Sequence, residues 1–344
     1  MTEPQIPADP ADRAEAAAPG RPAAPAVPVS PAFPSDRLIL GCMGLGGSWD
    51  PSPLTAADID AAEAAVEAAL ESGITAFDHA DIYRHGKAEA AFGEVLARAP
   101  GLRERVTLQS KCGIRLAEGD RPGMYDLRGD TIVRRVEESL KRLRTDVLDV
   151  LLLHRPDPLA DPADVAEALE SLHRQGLVRR FGVSNMNGPQ IARLQERLSL
   201  PLTVNQLEMS LGRRDWLEDG VLVNTPASAA NGFPAGTVEH CLAHGVGLQA
   251  WGSLAQGRYS GRQETPEERA TAALVGELAE AKGTTPESVV LWWLRRHPAR
   301  VVPVVGTSAP ARIRACRDAA VEEPRLSHEE WYALWITARG EALP

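Results

Sequence analysis

Eight short apolar runs recur between Leu38 and Gly306, and the stretches joining them bring apolar residues back every three or four positions. The runs are LILGCM (38–43), ITAFDH (74–79), VTLQSK (106–111), LDVLLLH (148–154), RFGVSN (180–185), LTVNQL (202–207), VGLQAW (246–251) and VVPVVG (301–306). β-Branched and leucine-rich runs of this length suit strands buried on both faces. The stretches between them carry helix punctuation. Thr55 with Asp58 forms a capping-box pattern ahead of Ile59, Ala62, Val66 and Leu70, and Gly73 ends that helix. Asp130 is expected to cap a helix bearing Val133, Val136, Leu140 and Leu143. Asp161-Pro162 and Thr285-Pro286 place proline in a first turn, where its missing N–H costs least.

Eight strand–helix units without an internal linker predict one closed (β/α)8 barrel over residues 37–344. Residues 1–36 are dominated by proline, alanine and acidic side chains and read as a disordered tail. The rival is an open doubly wound sheet, because LILGCMGLGG resembles a strand entering a glycine-rich dinucleotide turn. A Rossmann turn needs its helix to start at the glycines, whereas here the next helix waits until about Thr55. The spacing favours the barrel.

Composition excludes several function classes. A net charge of −10 provides no basic field for a nucleic acid. Four scattered cysteines form neither a disulfide framework nor a zinc ribbon and suit a reducing cytosol. No apolar run is long enough to span a bilayer, so a soluble cytoplasmic protein is expected.

In such a barrel, polar residues at the C-terminal ends of strands converge on one mouth. The second strand ends in Asp78 and leads to Tyr83, the third ends in Lys111 and the fourth in His154. The segment FDHADIY (77–83) has the residue types of a metal cage. Strand parity argues against that, since Asp78 and His79 point to opposite faces, and Lys111 would repel a divalent ion. His240 and His244, with Cys241, mimic a zinc pair one helical turn apart; near a helix C-terminus they are expected to meet free carbonyls instead. No metal is expected. Trp292, Trp293, Trp331 and Trp335 read as packing residues, and Arg295 and Arg296 as a solvated helix end.

Six motifs in order, FDHADIY, LQSKCG, LLLHRPDP, GVSN, VNQLEMS and AWGSLAQG, resemble the aldo-keto reductase family, a (β/α)8 barrel of NADPH-linked carbonyl reductases. The resemblance runs from about Leu38 to about Arg314. It implies a catalytic tetrad of Asp78, Tyr83, Lys111 and His154, with Tyr83 as proton donor, Lys111 lowering the phenol pKa, Asp78 steadying Lys111, and His154 polarising the carbonyl. It implies a cofactor site at Gly41, Cys42, Met43, Ser184, Asn185, Gln206, Trp251, Gly252, Ser253, Leu254, Gly306, Thr307, Ser308 and Arg312. Gly306 to Ser308 are expected to open the last helix, whose N–H groups suit a phosphate. The implied cofactor is NADPH/NADP, with NAD as the alternative because many relatives carry lysine where Gly306 stands. The implied partner is a small carbonyl substrate, which a keto-sugar would satisfy. An auxiliary barrel subunit with little turnover is the second reading, since the family includes subunits of ion channels. Basic residues in RHGKAE, after Tyr83, and the insertion between Lys111 and the next helix should shape the substrate entrance. Oligomeric state stays open.

Overall fold

The computed structural model describes residues 37–344, and the expectation of a disordered tail over residues 1–36 lies outside the described residues. Ten strands occur among these residues: β1 (Ile39–Gly41), β2 (Ala76–Asp78), β3 (Thr107–Cys112), β4 (Ile114–Arg115), β5 (Met124–Tyr125), β6 (Leu148–Leu153), β7 (Val178–Ser184), β8 (Leu202–Glu208), β9 (Gly247–Trp251) and β10 (Val302–Val305). Eight of them close into a parallel barrel in the order β1-β10-β9-β8-β7-β6-β3-β2. All eight apolar runs are barrel strands. The insertion after Lys111 holds the other two, which pair as an antiparallel hairpin with Ile114 opposite Tyr125.

Alternation along each strand sorts side chains between the barrel interior and the surrounding helices. Ile39, Ala76, Val150, Leu152, Val204 and Val304 pack together as an interior apolar layer. Gly182 leaves room for it, since a Cβ there would lie 2.4 Å from Val204 Cγ1 and 2.8 Å from Leu152 Cδ2. The opposite faces of the strands join the larger core shared with the helices.

Helix ends follow the sequence closely, with two corrections. The Thr55–Asp58 capping box forms, with Thr55 N–H donating to Asp58 Oδ2 at 2.9 Å and Asp58 N–H to Thr55 Oγ1 at 3.2 Å. Asp130, expected as a cap, lies instead inside the first turn of helix Gly129–Leu143. The neighbouring Asp164 accepts the Gly129 N–H at 2.8 Å, so a tertiary contact does the capping. Arg295 is not a solvated end: it donates to the carbonyls of Ala319 and Glu322 at 2.8 and 2.7 Å, pinning the segment that follows helix Arg317–Val321. Burial accordingly pulls its guanidinium down to about 10. The tryptophans pack as expected. Trp293 and Trp331 stack at 5.2 Å, and each indole N–H donates to the other's backbone carbonyl.

Candidate active site

The inward positions at the C-terminal ends of neighbouring strands bring a carboxylate, an ammonium, a phenol and an imidazole together. Lys111 is 1% exposed, and its Nζ donates to Asp78 Oδ2 at 2.7 Å, to the His79 carbonyl at 2.9 Å and to Tyr83 OH at 3.1 Å. Three acceptors saturate an ammonium, so Lys111 is fixed in place. His154 follows β6, and its ring lies edge-on to Tyr83 at 5.9 Å between centroids. Its Nδ1 is buried without a hydrogen-bond partner among the described residues.

Tyr83 enters this cluster from a strained turn. Arg84, His85 and Gly86 follow it with φ of 52°, 57° and 87°. Left-handed backbone at a non-glycine residue costs roughly 1–2 kcal/mol, so the turn needs outside support. Arg84 Nε donates to the Met43 carbonyl at 3.1 Å, and its guanidinium sits 5.3 Å from the Trp49 ring centroid. The β1 end and the loop after it thereby hold the turn that presents the phenol.

His79 and Asp81 point away from the mouth. His79 is buried against Phe92 of helix Lys87–Arg98, with ring centroids 4.8 Å apart. Burial, with Lys111 adding to it, holds its imidazole down at about 3. Asp81 lies 3.5 Å from Arg135 Nε, yet burial dominates and pushes its carboxyl up to about 7. Parity divides FDHADIY between two faces. Among the described residues no group of three His, Cys, Asp or Glu is arranged to hold a metal ion. His244 Nδ1 lies 2.8 Å from the His240 carbonyl, the helix-end contact expected of that pair.

Across the mouth, β7, β8 and β9 present a second cluster. Ser184 Oγ donates to the Gln206 carbonyl at 2.9 Å, Asn185 Nδ2 to Ser184 Oγ at 2.7 Å, and Trp251 Nε1 to Asn185 Oδ1 at 3.1 Å. Asn185 adopts φ 58°, which turns the chain out of β7 and over the barrel end. Near β10, a Cβ on Gly41 would lie 3.3 Å from the Val305 carbonyl, so glycine there lets the two strand ends close up. Cys42 is buried, with Sγ 3.5 Å from the Leu40 carbonyl, whereas Met43 is 52% exposed on the rim. Gly252 has φ 68°, Ser253 Oγ donates to the Val304 carbonyl at 2.8 Å, and Leu254 packs against the core.

Gly306, Thr307 and Ser308 do not open a helix. They form a loop, and the helix after it runs only from Pro310 to Arg314, with Ala309 as its N-cap. Two more helices follow, Arg317–Val321 and His328–Arg339, so it is not the last one either. Proline in the first turn sets the start, because its fixed φ suits N1 and no N–H is lost there. Arg312 is exposed on this short helix, and a Cβ on Gly257 would lie 2.8 Å from its Nη2.

The aldo/keto reductase family profile matches residues 37–335. The chain belongs to the aldo/keto reductase family. It is 38% identical over 281 residues to the oxidoreductase YdhF of Escherichia coli (strain K12), covering 81% of this chain and 88% of that one. It is 37% identical over 285 residues to a 6-dehydroglucose reductase of Novosphingobium aromaticivorans, covering 81% and 86%. The crystal structure of an aldo/keto reductase from Klebsiella pneumoniae in complex with NADP and acetate is 26% identical, covers 87% of this chain and 89% of that one, and superposes with a TM-score of 0.64.

Aldo/keto reductases use NADP(H), and the mouth of this one fits such a cofactor. The amide, hydroxyl and indole groups of Gln206, Asn185, Ser184 and Trp251 are gathered at one side of the mouth. Positive φ at Gly252, Ala255, Gln256 and Gly257 bends the loop after β9 toward Arg312, a cation suited to phosphate. Two buried residues hydrogen-bonded to this cluster escaped the sequence reading. Gln109 and Gln249, both buried, occupy the barrel interior below the tetrad, and Gln109 Nε2 donates to Asp78 Oδ1 at 2.6 Å. Each stands two positions before a site residue, Lys111 or Trp251, and period-two alternation was the signal available.

The phenol of Tyr83 also departs from expectation. Its pKa is raised above the usual value of 10.0, with burial the largest cause; Lys111 pulls it down and Asp78 pushes it up. Burial outweighs the pull of Lys111, part of which Asp78 offsets.

Proposed function

We propose that this reductase converts the carbonyl of a small, oxygen-rich aldehyde or ketone to an alcohol, with Tyr83 as proton donor. The observation that carries the proposal is Lys111 Nζ held between Asp78 and the Tyr83 hydroxyl at 2.7 and 3.1 Å. When bound, NADPH supplies the hydride to the carbonyl carbon. Tyr83 gives its phenolic proton to the carbonyl oxygen, and solvent restores it. A phenol with a raised pKa holds that proton at neutral pH, as a general acid must. Lys111, 3.1 Å away, stabilises the phenolate left behind, and Asp78 keeps Lys111 charged and aimed. Burial, then Lys111 and Arg155, hold His154 well below its ordinary value. A neutral imidazole beside the phenol orients the carbonyl by a hydrogen bond.

Ser184, Asn185, Gln206 and Trp251 would hold the nicotinamide end of the cofactor. Gly41, Cys42 and Met43 would border it, and the 252–254 and 306–308 loops with Arg312 would take the phosphates. Arg312 favours NADP over NAD. The oxygen-rich substrate is supported by Arg84, which follows Tyr83, by Arg155, whose charge acts on His154, and by the relatives named 6-dehydroglucose reductase. Tyr83→Phe tests the central role. Loss of a general acid predicts a kcat about 10²- to 10⁴-fold lower, with NADPH affinity retained. Unchanged turnover rejects Tyr83 as donor.

A further inference from the structure

An unbroken chain of side-chain amides crosses the barrel from Asp78 to Gln206. Gln109 on β3 and Gln249 on β9 stand diametrically opposite in the eight-strand ring, and their amides meet in the middle. Gln109 Nε2 donates to Gln249 Oε1 at 2.9 Å, and Gln249 Nε2 returns a bond to Gln109 Oε1 at 3.1 Å. Gln206 Nε2 donates to the same Gln249 Oε1 at 2.9 Å. Asp78, Gln109, Gln206 and Gln249 are all buried, so water cannot substitute for a missing partner.

We infer that Gln109 and Gln249 are positioning residues that fix which end of the Gln206 amide faces the nicotinamide carboxamide. The inference rests on the proposal that Gln206 meets that group. A side-chain amide has one donating and one accepting end, and its direction follows from its partners. A carboxylate paired with Lys111 only accepts, so Gln109 must turn its NH₂ toward Asp78. The Gln109 oxygen then faces Gln249, which answers with its own NH₂ and turns its oxygen toward Gln206. Gln206 is left with its NH₂ pointing into the barrel and its oxygen free for the mouth. An oxygen there selects an N–H donor, the group that a carboxamide has and a methyl ketone lacks. The charge of Asp78 is thus read across the barrel as an acceptor in the cofactor pocket.

The test compares binding of NADP⁺ with that of its acetylpyridine analogue, in which a methyl ketone replaces the carboxamide, by quenching of protein fluorescence in the full-length enzyme. Wild type should prefer NADP⁺ by about 3- to 10-fold, the worth of one hydrogen bond. Gln249→Met, and separately Gln109→Met, should bring the ratio to about one by strengthening binding of the analogue, because the freed Gln206 amide can rotate to give a ketone its NH₂. Gln249→Glu should keep the preference, since a buried protonated carboxyl offers the same donor and acceptor. Retention of the wild-type ratio in either methionine variant overturns the relay, as does parallel weakening of both ligands. A wild type without preference overturns it even if no variant folds. Unchanged NADP⁺ affinity in Gln206→Met removes the contact itself, a failure distinct from that of the relay.

Discussion

Replacing Asp81 with asparagine should stabilise the reductase, and more so as the pH rises. Asp81 is buried beside Arg135, neither carboxylate oxygen has a hydrogen-bond partner among the described residues, and its pKa rises from 3.8 to about 7. A raised folded-state pKa means that the protonated form is the one the fold tolerates. The favourable contribution is complete below the unfolded value near 3.8 and is lost as pH climbs through about 7. At about 1.36 kcal/mol per tenfold change in proton affinity, the gap from 3.8 to about 7 amounts to an upper limit of about 4 kcal/mol at pH 8. At pH 5 only about 1–2 kcal/mol of it has been incurred. Asparagine has the shape and neutrality of the protonated acid, so Asp81→Asn avoids the penalty at every pH. Urea midpoints of wild type and variant at pH 5 and pH 8 measure the difference. The variant should gain about 2–3 kcal/mol more at pH 8 than at pH 5. His79, whose imidazole is held at about 3, is common to both proteins and cancels. Equal gains at the two pH values, or a loss at pH 8, would refute the reasoning and show that the Arg135 contact governs Asp81.

Two further outcomes follow from the same geometry. The pH profile of kcat/KM for carbonyl reduction should be flat from about pH 6 to 9, because His154 stays neutral above its depressed pKa and Tyr83 stays protonated below its raised one. A tenfold fall per pH unit beginning near pH 7 would mean that Lys111 does lower the phenol. Gly182→Ala should destabilise the barrel by about 1–3 kcal/mol or more, read as a drop in the thermal midpoint. The added methyl would meet the Val204 backbone oxygen at 2.6 Å, and backbone cannot move aside as a side chain can; an unchanged midpoint would show that the strands adjust.

The sequence made visible whatever depends on periodicity. Strand runs repeat eight times, so barrel closure and strand order were readable, and parity separated Asp78 from His79 correctly. Features set by a neighbour far along the chain were not. Asp164 caps a helix that Asp130 was expected to cap, and Arg295 is buried by a segment more than twenty residues away. The sign of the Tyr83 shift failed for a related reason: the residues that bury the phenol come from other parts of the fold, and that burial outweighs the pull of Lys111.

The amide chain was hidden differently, because the resemblance gave neither Gln109 nor Gln249 a role in the tetrad or the cofactor pocket. Parity nevertheless contained it. If Lys111 and Trp251 face the axis, then Gln109 and Gln249 must face it too, one pleat deeper and beyond the reach of solvent. A buried amide cannot be left without partners, and Gln109 finds them in the Asp78 carboxylate and the Gln249 amide. Reading two residues back from each site residue therefore reaches the layer that orients the site.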